Sequence, residues 1–415
     1  MHIVFAEQPF PSKVLKSLFL EGPSVRAADQ ADWRHEALRT LESLGYDGHV
    51  FIPIPEARFC GASADQQGWT YDGQIAWECR GRALADVIVA WVPREIDRDR
   101  EDLGMPGFTT NMEIGEDLHS GKLVYGRPAN APKNRYLDVR VRNKGLSVFS
   151  TLHETLEHAV GLLGEGALRQ GGETEVPLFI WRTEQFQTWY ADLRQAGNRL
   201  DGACLHYHLG TSSKGVFAYA MGVKVWVENE GRHKSNEVVF ARKDITSIFA
   251  WHRNWVTGQV KLVLVREFRS TVSNEQGFVY ELPGGSSIRV DGDPLSDARE
   301  ELAEETGLHV TDPQRFRVIS KRQLMATFST HKAVLFAVQL TNEELAQLEA
   351  AQAQSTAFGE AGSSERTHVI VATVEDALAK YPLDYTSLGM VAQALQTLGL
   401  SRVVSGLCFH PDPVL

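Results

Sequence analysis

Short apolar runs alternate with helical patterns from the start of the chain to Pro128. HIVFAEQPF, GHVFIPIPE, DVIVAWVP and KLVYGRP read as strands. ADWRHEALRTLESLGY, QIAWECRGRALA and NMEIGEDLHSG read as the helices between them. Strands joined through helices cannot pair as hairpins, so the alternation restricts this segment to a parallel sheet with helices on both faces. Ligands in such sheets sit beyond the carboxyl ends of the strands. Glu7-Gln8-Pro9, Pro53 to Glu56, Pro93-Arg94 and Gly126-Arg127-Pro128 are therefore expected along one rim.

A chain of 415 residues exceeds one ordinary core, and two or three domains are expected. The 43% hydrophobic and 23% charged content is that of a globular protein. A net charge of −11 offers no basic stripe for phosphate backbones, which argues against nucleic acid as a partner. Cys60, Cys79, Cys204 and Cys408 lack CxxC spacing, so neither a zinc site nor a disulfide framework is indicated. No apolar run is long enough to span a bilayer, and Met1-His2-Ile3-Val4-Phe5 opens a strand rather than a signal peptide. The expectation is a cytoplasmic protein with no membrane partner.

Downstream, STLHETLEHAVGLL reads as an amphipathic helix, VPLFIW as a short strand and TEQFQTWYADLRQAGNRL as a helix. Segment 145–202 is thus expected to be a helical connector, with Phe179, Trp181, Phe186, Trp189 and Tyr190 as its core. Beyond it the strands lengthen, in HYHLG, GVFAYAMGVKVWVEN, NEVVFARKD and VKLVLVREF. KAVLFAVQL and THVIVATV follow as late strands, and LGMVAQALQTLGL closes as a helix. His206 and His208 share one strand face without a third ligand, so packing or hydrogen bonding is expected of them.

Leu282 to Leu308 reads as a glycine turn, a loop and a helix dense in carboxylates. Glu301, Glu304 and Glu305 stand at i, i+3 and i+4 and share a helical face. Carboxylates that close resist ionising together unless a cation sits among them. Oxygen-only ligation suits Mg²⁺ or Mn²⁺. AREELAEE alone also fits a solvated, salt-bridged helix, but Pro283-Gly284-Gly285 and Thr306-Gly307-Leu308 add the turns that a site needs.

This stretch resembles the Nudix box, matching it at Glu301, Leu302, Glu304, Glu305, Gly307 and Leu308. It departs where the family's arginine falls on Glu300, with Arg299 one place early. The upstream glutamate is also missing: counting forward from the turn reaches Asp291 and counting back from the helix reaches Gly292, leaving Asp291 and Asp293 as substitutes. The resemblance implies an α/β/α sandwich around a mixed sheet over residues 203–415, with Glu301, Glu304 and Glu305 as metal ligands. It further implies Gly284, Gly285, Glu281, Arg266 and Arg269 as substrate-binding residues. The loop QSTAFGEAGSSERTH offers Glu360 and Glu365 as general base.

In the first segment, GFTTNMEIGEDLHSGKLVYGRP places Glu113 at the start of a helix, where it also fits a capping box with Thr110. Together with Tyr71-Asp72, Trp77-Glu78 and Asp86 to Pro93, this stretch resembles the nucleoside 2-deoxyribosyltransferase-like family. That resemblance implies a Rossmann-like domain over residues 1–144. It assigns Glu113 as a nucleophile on an anomeric carbon, a role that suits a carboxylate. Glu78 is a candidate sugar-binding or acid–base carboxylate and Asp86 a candidate substrate-binding residue, and the resemblance puts the family's aspartate on Gly107 unless Asp102 replaces it.

The combined expectation is a metal-dependent hydrolase that cleaves the diphosphate of a nucleoside diphosphate linked to another moiety, with ADP-ribose-like substrates favoured. An N-terminal domain acting on N-glycosidic bonds would make it bifunctional, and a homodimer is the expected assembly. Two rival readings are a catalytically impaired nucleotide sensor, and an N-glycosidase or deoxyribosyltransferase with a structural Nudix module.

Overall fold

Six parallel strands organise the N-terminal part of the protein. They are β1 (His2–Ala6), β2 (Ser17–Glu21), β3 (His49–Pro55), β4 (Val87–Trp91), β5 (Leu123–Gly126) and β6 (Val148–Phe149), paired in the order β1-β3-β2-β4-β5-β6. The computed structural model describes residues 1–25, 32–61, 70–97, 99, 104–211, 215–286, 293–359, 362 and 364–400. Central strand β2 was not expected from the sequence. SLFLE is a short apolar run without alternation, and all five of its residues are buried. That is how a strand covered on both faces reads.

Along β4 the side chains sort by period two. Val87, Val89 and Trp91 enter one apolar cluster, while Ile88, Ala90 and Val92 enter another. Helices α1 (Trp33–Ser43) and α5 (Leu152–Leu163) supply Ala37, Leu41, Leu156 and Ala159 to the first cluster. Helices α2 (Tyr71–Leu84), α3 (Phe108–Asp117) and α4 (Arg135–Asn143) supply Trp77, Ile114 and Val141 to the second. Because every strand runs the same way, Glu7, Glu56, Pro93 and Arg127 follow strand ends on one rim, as expected.

Two local expectations need correction. VPLFIW is a helical turn, Leu178–Trp181, in which the Pro177 carbonyl accepts from the Ile180 and Trp181 amides. Helix α3 begins at Phe108 after Gly107, so Glu113 sits in its second turn and caps nothing.

By internal contacts the chain divides into two compact units, Met1–Ala241 and Arg242–Leu415. Segment 145–202 lies in the first, where α5 packs on the parallel sheet. Helix α6 (Glu184–Gln195) carries Phe186 and Tyr190 into a separate core with β7 (Arg199–Thr211) and β8 (Gly215–Val227), which join β9 (Arg232–Arg242) in a three-stranded sheet. Phe179, Trp181 and Trp189 flank that core, as expected.

The second unit is built on a mixed sheet. Its strands are β10 (Ile245–Arg253), β11 (Val260–Phe268), β12 (Phe278–Glu281), β13 (Phe316–Gln323), β14 (Lys332–Gln339), β15 (Ala357–Phe358) and β16 (Thr367–Thr373). The order is β13-β14-β10-β11-β16-β15, with β12 also paired to β11; among the described residues β10 and β14 pair in parallel and the other pairs are antiparallel. Ile248, Ala250 and Val263 pack under α7 (Pro294–Thr306) and α8 (Asn342–Ala353). Phe249, Trp251, Leu262 and Leu264 pack on α9 (Val374–Lys380) and α10 (Tyr385–Thr397). The sheet is therefore held between two helical layers. Among the described residues, no helix is long and apolar enough to cross a membrane.

Candidate functional site

In the second unit the turn after β12 is fixed from below. The Thr246 amide donates to the Gly285 carbonyl and the Ile248 amide to the Pro283 carbonyl, each at 2.8 Å. A side chain at Gly284 would collide with the Thr246 carbonyl oxygen, and φ there is 151°. At Gly285 a Cβ would meet the Glu301 carboxylate. Helix α7 starts on Asp293, which accepts from the Ser296 amide, so Asp293 serves as a cap. Asp291 and Gly292 lie outside the described residues.

Helix α7 turns Glu305 inward. Its side chain is 3% exposed and accepts a 2.7 Å hydrogen bond from the Gly284 amide. Glu267, at the end of β11, and Glu365, before β16, meet it there: one oxygen from each of the three lies within 4.8 Å of the others. An octahedral ion with bonds of about 2.1 Å holds its ligand oxygens within about 4.2 Å of one another, so a small contraction would close this trio on a cation. Arg269 lies among the acids, 2.7 Å from Glu267, 3.7 Å from Glu281 and 3.8 Å from Glu365.

Burial holds Glu305 protonated well above the ordinary carboxylate range. Burial, followed by the charges of Glu304 and Glu365, pushes Glu301 up to about 7. Burial likewise takes Glu267 to about 7, opposed by Arg269 and reinforced by Glu365. Glu281 is raised by burial against the pull of Arg269. A divalent cation binding among these carboxyls would displace their protons, so its affinity would rise with pH.

The expected residues separate accordingly. Glu301, Glu305, Glu281, Arg269, Glu365 and the Gly284-Gly285 turn gather in one place. Glu304 is exposed and, with Glu300, Arg299 and His309, lines a neighbouring groove of about 380 Å³. Arg299 holds the chain after α7, donating to the Val310 and Thr311 carbonyls. Arg266 leaves β11 on the opposite side from Glu267, beside Phe278, with its guanidinium 4.9 Å from that ring. It therefore does not reach the acidic cluster. Glu360 lies outside the described residues. Glu267 was missed because, inside VLVREF, it reads as one charge at a strand end.

The first unit carries a second carboxylate site, at the rim where the chain order reverses between β2 and β4. A cavity of about 690 Å³ opens there, lined by Glu21, Gly22, Tyr71, Glu78, Phe108 and Glu113 among others. Arg34 is fully buried and fixes the strand end, donating from Nε to the Leu20 carbonyl at 3.1 Å and from Nη2 to the Gly22 carbonyl at 2.7 Å. A side chain at Gly22 would collide with the Trp91 carbonyl oxygen.

Burial, with the Glu78 charge next, raises Glu113 to about 7. Glu78 is itself raised by burial and accepts a 2.6 Å hydrogen bond from Gln74. Arg82 is committed to Asp117 at 2.8 Å and Glu116 at 2.9 Å. Asp86 does not belong to this cavity. It lies before β4, at the opposite end of the strand, where it receives both Arg169 nitrogens at 2.7 and 2.6 Å, the Ser17 amide and hydroxyl, and the Leu178 amide. Its part is structural. His208 likewise contacts the Gly210 and His119 carbonyls at 2.8 and 3.1 Å, the hydrogen bonding expected of it. Asp102 lies outside the described residues.

No protein-family model and no curated protein matches the chain.

Proposed function

We propose that the second unit is a Nudix-type hydrolase dependent on Mg²⁺ or Mn²⁺, cleaving the diphosphate of a nucleoside diphosphate linked to another moiety, with ADP-ribose-like substrates favoured. The observation that carries this reading is the convergence of Glu267, Glu305 and Glu365 beside the Gly284 amide, with Glu301 against Gly285. When bound, the metal supplies charge for the phosphoryl oxygens and lowers the pKa of a coordinated water. Glu267, Glu305 and Glu365 hold it, with Glu301 and Glu304 on the helix beside them. Glu301, which is not one of those three ligands, accepts the proton of the attacking water at its carboxylate, and Glu360 is a further candidate for that task. Arg269, neutralising acids in the absence of metal, is placed to turn its guanidinium to a substrate phosphate.

Incubation with ADP-ribose and manganese is expected to release AMP, and Glu305→Gln is expected to abolish the release. Tight binding of ADP-ribose without product would replace the hydrolase with a nucleotide sensor, the outcome that Glu300 at the family's arginine position favours.

For the first unit we propose action on the N-glycosidic bond of a nucleoside or nucleotide. The support is a carboxyl, Glu113, that titrates near neutrality on the wall of a nucleoside-sized cavity. The Glu113 carboxylate would form a bond to the anomeric carbon as the bond to the base breaks. Release of free base, lost in Glu113→Ala, tests it. In this reading the parallel sheet is Rossmann-like, the mixed sheet is a Nudix sandwich, and the protein works in the cytoplasm as a homodimer.

A further inference from the structure

Glu21 stands at the carboxyl end of the central strand β2, on the floor of the first unit's cavity, and is 1% exposed. Neither of its oxygens accepts a hydrogen bond. An ionised carboxylate in that position would carry the full cost of desolvation. Its surroundings worsen the cost. From α3 it meets Asp117 and Glu113, and from α2 Arg82, whose guanidinium is already shared between Asp117 and Glu116; Glu78 of α2 lines the same cavity. Arg34 of α1 is held by the Leu20 and Gly22 carbonyls and by Asp32. Two facing carboxylates, Glu21 and Asp117, cannot hydrogen-bond unless one carries a proton, and Glu21 is the one without an arginine. Burial acts in the same direction, lifting Glu21 well above the usual carboxylate range.

We propose that Glu21 keeps its proton across the neutral range and donates it to Asp117, which leaves Glu113 and Glu78 to ionise on the wall of this cavity. Glu21 is then a positioning residue. It fixes the Asp117–Arg82 pair under α3 without adding a negative charge beneath Glu113. The inference rests on the N-glycosidic reading only for its catalytic consequence; the proton on Glu21 is a property of the ligand-free protein.

The test is infrared spectroscopy of the full chain without substrate at about pH 8, where ordinary carboxyls, with pKa values near 4, are ionised. The wild type is expected to show the carbonyl stretch of protonated carboxylic acids. Glu21→Gln should lose one component of that band, while Glu78→Gln keeps it. The amide introduced by Glu21→Gln retains an N–H for Asp117, so the fold should survive. Asp117→Asn is the second variant: it removes the facing carboxylate and should shift the Glu21 component in frequency. Absence of the band in the wild type, its persistence unchanged in Glu21→Gln, or an unmoved band in Asp117→Asn would overturn the proposal. None of these outcomes depends on whether the protein releases free base, so the two ideas fail separately.

Discussion

The Gly284 amide donates a 2.7 Å hydrogen bond to the buried Glu305 carboxylate, which ties the turn after β12 to the acidic helix α7. Sequence separates the two residues by 21 positions, and the bond makes them one site. Glu305→Gln preserves an acceptor for that amide and removes the charge. The expected outcome is a folded protein that no longer gains thermal stability from manganese. A ligand at a hundredfold excess over its Kd stabilises by about 2.7 kcal/mol. Calorimetry with and without the ion measures the difference, and an undiminished shift in the variant would remove Glu305 from the metal set.

The two turn glycines should answer differently to alanine. At Gly284 the added carbon meets backbone, which cannot move aside, and a cost of about 1–3 kcal/mol is expected in urea denaturation. At Gly285 it meets the end of a flexible side chain, Glu301. Gly285→Ala should therefore keep near-normal stability while weakening manganese binding. Equal losses of stability in both variants would contradict this geometry.

Glu78 should tune Glu113. Burial is the larger cause of the rise of Glu113 to about 7, and the Glu78 charge is the next. Removing that charge in Glu78→Gln lowers the Glu113 pKa, so the acid limb of base release should move to lower pH. The linked stability runs the same way. A carboxyl raised in the folded state contributes stability that is present below its unfolded pKa, near 4, and lost as pH rises through about 7. Glu78→Gln should reduce the loss between those values, as thermal melts over pH 5 to about 8 would show.

Asp86 and Arg169 form a paired charge that is 0% and 1% exposed. Asp86→Ala leaves the guanidinium buried without its partner, and a loss of about 3–5 kcal/mol is expected. Urea denaturation followed by tryptophan fluorescence checks the size of the loss. Manganese-dependent stabilisation of the second unit should remain. A loss below about 1 kcal/mol would mean that water reaches the pair.

The sequence exposed most of the elements and part of each site. LPGG followed by AREELAEETGL is local chemistry: a turn, a capped helix and carboxylates at helical spacing, all legible within 27 residues. Strand β2 was not legible. SLFLE has no alternation, and burial on both faces removes the polar half of the pattern that marks a strand. Glu21 was hidden with it. Asp86 looked like a binding residue because its partner, Arg169, lies 83 positions away.

The chain alone determined the kinds of group present and their local spacing, since helix period, turn chemistry and hydrophobic runs are short-range properties. Tertiary structure decided which carboxyls meet. Glu267, Glu305 and Glu365 come from a strand end, a helix and a late loop, and strand pairing brings them within 4.8 Å. It also decided their protonation, because desolvation depends on what the rest of the fold packs around each group.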